Sequence, residues 1–102
     1  MLEIESSADG SIALVGRLDA ASAPKVQAAL DALTGAARLD FSRLDYVSSA
    51  GLGVLLKTQK RLSAAGGLTL IKVNAHIMDV FRYSGFDQIF RIEPTIPGVA
   101  GK

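Results

Sequence analysis

Residues 44–56 change character twice in a short span, and everything else in the chain has to deliver into them or follow from them. Leu44, Tyr46 and Val47 suit a strand or its exit; Ser48, Ser49, Ala50, Gly51 and Gly53 are small; Leu52, Val54, Leu55 and Leu56 begin an apolar helical pattern. This reads as a loop opening a helix. The first turn of a helix has N–H groups without intrahelical partners and carries partial positive charge. Two hydroxyls at that place can accept hydrogen bonds from those groups, and the same groups favour an added negative charge. The position suits a cap or a phosphate.

Upstream, Leu2 and Ile4, then Ile12 and Leu14, recur with a period of two, and Asp9-Gly10 between them is a two-residue hairpin signal. Two antiparallel strands are predicted, the second over 11–16, leading into a turn at Gly16-Arg17-Leu18-Asp19. Ser22-Ala23-Pro24 supplies a cap and an early proline, and Val26, Ala29, Leu30 and Leu33 make one stripe of a helix with Gly35 as its stop. A third strand is expected over 36–41. After the helix opened at Ala50, whose face carries Leu52, Leu55, Leu56 and Leu62, Gly66-Gly67 is the stop. Gly51 and Gly53 are each about 1 kcal/mol poorer than alanine in a helix interior, so a close approach to neighbouring backbone or to a partner is the expected reason for them.

Residues 68–73 read as a strand covered on both faces and lying near the centre of a sheet. Asn74 should cap a helix with Ile77, Val80 and Phe81 as its stripe, ending at Gly85 with Phe86 folded back on it. An edge strand over 88–92 completes the pattern. The prediction is one α/β domain over 1–93, a mixed sheet of four to five strands with helices packed on it, and a loose tail over 94–102. Ligands and partners meet the carboxyl ends of strands in such sheets, where the Asp19 turn and the Ser49 loop both fall.

Composition excludes more than it assigns. Among 102 residues there is no cysteine and a single histidine, His76, so no disulfide framework, thiolate zinc site or multi-histidine metal site is available. The net charge is +1 with basic and acidic residues interspersed, which does not point to nucleic acid, and no apolar run is long enough to span a membrane. The start lacks a secretory signal pattern, and a cytoplasmic location is the expectation. Gly51-Leu52-Gly53 with Lys57 and Thr58 lacks the glycine before the lysine that a phosphate-binding loop needs. No nucleophile, base and oxyanion donor assemble into a catalytic set, so no enzyme activity and no cofactor are expected. Met78, Phe81, Tyr83 and Phe86 read as packing residues.

Ser48-Ser49-Ala50-Gly51-Leu52 resembles the signature of STAS domains, in particular the bacterial anti-sigma factor antagonists, and Gly16-Arg17-Leu18-Asp19-Ala20 is similar to that family's Gly-x-Leu-Asp turn. The resemblance spans about residues 2–93. It implies that Ser49 is a phosphorylation site, with Ser48 as second choice, since Ser48 stands where many such proteins have aspartate and Ala50 where many have serine. It further implies a binding face of Asp19, Ser48, Ser49, Ala50, Gly51, Leu52, Gly53, Lys57 and Lys60. The implied partners are an anti-sigma factor of the serine protein kinase type and a PP2C-like phosphatase, and a homodimer is possible. The unphosphorylated domain would bind the anti-sigma factor and free a sigma factor. The alternative is a constitutive STAS subunit of a lipid transporter or other complex, in which Ser49 only caps the helix.

Overall fold

A computed structural model describes residues 2–93, and the tail expected over 94–102 lies outside the described residues. Strands β1 (Leu2–Ser6) and β2 (Ile12–Leu18) pair antiparallel, from Leu2 opposite Gly16 to Ser6 opposite Ile12. Their connection is longer than the two-residue turn expected. The Ser7 N–H donates to the Ser11 carbonyl, leaving Ala8, Asp9 and Gly10 at the tip, with Gly10 at φ +89° and Asp9 accepting from both the N–H and the hydroxyl of Ser11.

Nor does β2 end at Gly16. That residue takes φ +108° and donates to the Arg43 carbonyl, and the strand continues to Leu18. The continuation has its own partner. Strand β3 (Ala37–Asp40) lies parallel to the start of β2, and a further strand, β4 (Leu44–Val47), lies parallel to its end, Leu18 opposite Val47. Between Gly16 and Arg17 the partner jumps from Leu44 to Tyr46, so Asp45 is the bulged, exposed residue. With β5 (Leu68–Ile71) and β6 (Arg91–Ile92) the sheet has six strands in the order β1-β2-β3-β5-β6, β4 pairing with β2. Only β1 runs antiparallel to its neighbour.

Helices α1 (Ala23–Asp31), α2 (Ser49–Leu62) and α3 (Ala75–Ser84) bury one stripe each. By strand alternation, with the Asp45 bulge bringing Leu44 and Val47 to the same side, Leu14, Leu18, Leu39, Leu44, Val47, Leu68 and Leu70 share one face of the sheet, and they form a single core with Val26 and Leu30, Leu52 and Leu55, and Ile77 and Phe81. Ala13 and Ile71 are buried outside that core, on the opposite face. That face also carries Glu5, Arg38 and Asp40. Strand β5 is accordingly not covered alike on its two sides, and it sits one position from the β6 edge.

The end of α1 is decided by another helix. The stripe ending in Leu33 predicted a helix running toward Gly35, yet α1 stops at Asp31, and Arg61 of α2 donates to the carbonyls of Leu30 (2.7 Å) and Leu33 (2.9 Å). A guanidinium there satisfies acceptors that a helix end leaves open and complements its partial negative charge. Arg61→Ala is expected to lower stability by about 1–2 kcal/mol, read as a shift in the urea midpoint.

Asn74 caps α3 as expected, accepting from Ile77 N–H at 2.9 Å, and its amide also donates to the Leu44 carbonyl at 2.9 Å. Gly85 ends α3 at φ +78°, and a 3-10 turn at Phe86–Gln88 follows, which shortens the expected edge strand to two residues. Phe81 packs edge-on to Phe41 and stacks near Phe90. Tyr83 departs from its expected packing role: it is 92% exposed, because it falls on the side of α3 opposite Ile77 and Phe81.

Thr58 is fully buried in α2, and its hydroxyl has no hydrogen-bond partner among the described residues. Replacing it with the isosteric valine removes an unsatisfied polar group and keeps the volume. Thr58→Val is expected to raise stability by about 1 kcal/mol, measured by thermal denaturation.

Candidate functional site

The two sequence motifs meet at the carboxyl ends of β2 and β4. Ser48 N–H donates to the Leu18 carbonyl at 2.8 Å, so the loop that opens α2 is pinned to the residue just before Asp19. Gly51 completes the junction. A Cβ on it would come within 2.6 Å of Leu18 Cγ, 2.9 Å of the Leu18 carbonyl oxygen and 3.1 Å of Val47 Cγ2. The first turn of α2 can therefore rest on the strand ends only if residue 51 lacks a side chain.

The two serines are placed differently. Ser48 is the N-cap of α2, half-buried, its hydroxyl accepting from Gly51 N–H at 3.2 Å. Ser49 is the first helical residue and is exposed; among the described residues its hydroxyl makes no hydrogen bond. The capping role that the alternative reading assigned to Ser49 belongs to Ser48. Sequence pattern could not separate adjacent serines, because which one caps depends on where the backbone turns helical.

Asp19 closes the neighbouring turn. Its carboxylate accepts from the N–H groups of Ala21 and Ser22, both at 3.1 Å, and the Arg17 guanidinium lies 3.8 Å away. Ser22 stands at the α1 N-cap position without capping it. Its hydroxyl accepts from Asp19 N–H at 2.9 Å and donates to the Arg17 carbonyl at 2.8 Å, tying the turn to β2. The Ser22 N–H is the chief cause holding the Asp19 carboxyl below its ordinary value of 3.8, with the Ser22 hydroxyl, the Ala21 N–H and Arg17 adding to it. The folded form thus favours the charged carboxylate. This contribution to stability is present above pH 3.8 and is lost as pH falls through the lower folded-state value. The difference in urea midpoint between wild type and Asp19→Asn is expected to shrink as pH is taken from neutral into that acid range.

Along α2, Ala50, Gly53, Lys57 and Lys60 are all exposed and follow one another at helical spacing, while Leu52 is buried in the core. Beyond its own helix turn, no atom of the described residues lies within 4 Å of where a Cβ on Gly53 would stand. The two glycines that looked alike in sequence thus differ: Gly51 answers to the strands beneath it, Gly53 to nothing among the described residues. Sequence reasoning missed Arg17 and Tyr46, whose guanidinium and ring stack at 4.4 Å beside the Asp19 turn. Their pairing follows from the β2–β4 register, and the only sequence signal for it was that Leu44, Tyr46 and Val47 suit a strand or its exit.

Comparison with known proteins agrees with this geometry. A family model described as "Mlab, STAS domain" matches residues 2–94. A Bordetella bronchiseptica protein described as "Putative anti-sigma factor antagonist BtrV" is 42% identical over 84 residues, covering 78% of this chain and 72% of that protein. Among solved structures, an anti-sigma factor antagonist from Mycobacterium paratuberculosis superposes with a TM-score of 0.78 at 21% identity, over 99% of this chain and 91% of the other. SpoIIAA in its unphosphorylated form gives 0.64 at 19% identity, over 98% and 94%. The phosphorylated form of the same Bacillus protein gives 0.62 at 20% identity, over 98% of this chain and 97% of the other. The chain belongs to the STAS domain family, in its anti-sigma factor antagonist branch.

Proposed function

We propose that this domain is a non-enzymatic switch which, unphosphorylated, binds a serine-kinase-type anti-sigma factor and so releases a sigma factor, and which phosphorylation of Ser49 turns off. The observation that carries this reading is the division of labour at the start of α2. Ser48 spends its hydroxyl on the Gly51 N–H, while Ser49 leaves its own exposed on the first helical residue. A phosphate at Ser49 adds about −1.5 to −2 charges where helix N–H groups tolerate them, so the fold survives while a partner resting on the loop meets a new charge. The docking face comprises Asp19, Ser48, Ser49, Ala50, Gly53, Lys57 and Lys60, with Gly51 and Leu52 seating it on the core. A PP2C-like phosphatase would restore the binding form.

The test is to incubate the chain with ATP and each serine-kinase-type anti-sigma factor encoded in the same genome, then locate phosphate by mass spectrometry. Modification at Ser49, lost in Ser49→Ala, is the expected result. Stable binding with no phosphate at Ser49 or Ser48 would favour instead a fixed subunit of a transporter or other assembly. That second reading draws its support from Ser48, which replaces a carboxylate that could help position a kinase's magnesium.

A further inference from the structure

Resting on that docking reading, we infer that the partner surface laid along α2 is acidic, with carboxylates set against Lys57 and Lys60. Residues 49–62 contain Lys57, Lys60 and Arg61 and no aspartate or glutamate, whereas soluble surfaces usually intersperse both signs and helices often set an acid four residues from a base. Most other cations of the described chain are occupied. Arg17, Arg38, Arg43, Lys72 and Arg82 each lie within 4 Å of a carboxylate. Lys25 and Arg61 donate to backbone carbonyls. Lys57 and Lys60 have neither kind of partner among the described residues, and only Arg91 shares that condition.

Both lysines are exposed, and they continue the line that starts at Ala50 and Gly53. The helix dipole favours cations in the last turn, which accounts for Lys60 and not for Lys57 in the middle of the helix. The stripe therefore has two chemistries. Its Ala50 and Gly53 end lets another backbone approach closely, and about 12 Å along the axis from Ser49 the lysines begin. Covering two ammonium groups with a neutral surface costs desolvation that nothing returns, whereas carboxylates opposite them return it and set the register of docking.

The experiment measures affinity between the full chain and each purified serine-kinase-type anti-sigma factor of the same genome, across about 50 to 500 mM NaCl. The expected result is that the Lys57→Glu/Lys60→Glu pair weakens binding at least about tenfold. Wild-type affinity should fall with salt, and the neutral Lys57→Gln/Lys60→Gln pair should flatten that dependence. Binding that Ser49→Asp abolishes but that neither lysine pair nor salt changes would overturn the acidic partner surface and leave the switch standing. If no anti-sigma factor binds the wild type, the docking reading falls, and this inference falls with it.

Discussion

Ser49→Asp is expected to weaken binding to the cognate anti-sigma factor by about 10- to 100-fold, about 1.4–2.8 kcal/mol, with Ser49→Ala close to wild type. The reason lies in what each serine does. Ser49 is exposed and makes no hydrogen bond among the described residues, so neither substitution removes an interaction that holds the fold. An aspartate at the first helical position is favourable to the helix itself, so its cost falls on the partner. Titration calorimetry with matched circular dichroism spectra checks both halves of this expectation, and equal affinity for the alanine and aspartate forms would sink the switch. Ser48→Ala should behave in the opposite way: it loses the cap on Gly51 N–H, lowering stability by about 1 kcal/mol.

Gly51→Ala and Gly53→Ala are expected to shift stability in opposite directions although they lie two residues apart on one helix. At Gly51 a Cβ meets the Leu18 carbonyl oxygen at 2.9 Å, and backbone cannot yield as a side-chain tip can. With two contacts under 3 Å, one of them to backbone, overpacking costs about 2–3 kcal/mol, only partly offset by the roughly 1 kcal/mol that alanine contributes as a better helix former. At Gly53 the added methyl meets nothing, so the helix-forming gain stands alone and the melting temperature should rise by about 4–8 °C. The functional consequence separates the two further. Gly53→Ala should weaken partner binding in a domain that has become more stable, because the methyl stands on the proposed docking face. Improved stability with unchanged binding would place the partner elsewhere on α2.

Much of this protein was determined by local sequence. The stop at Gly66, which ends the 3-10 turn Ser63–Ala65 that follows α2, the stop of α3 at Gly85, the Asn74 cap, the α2 stripe and the loop opening it are set by residues whose backbone preferences or hydrogen-bonding groups act within a few positions of themselves. The candidate site was legible for the same reason, since Ser48, Ser49 and Gly51 fall together in the chain. What only tertiary structure decided are the features that depend on a remote partner. Strand β4 exists as a strand because the end of β2 offers it a ladder, and β2 passes Gly16 because that ladder is there. Helix α1 stops at Asp31, with Arg61 of α2 on the carbonyls of Leu30 in its last turn and of Leu33 just beyond it. The different reasons for Gly51 and Gly53 follow from what lies beneath one and not the other, and a glycine's own sequence neighbourhood does not record the atoms of a distant strand.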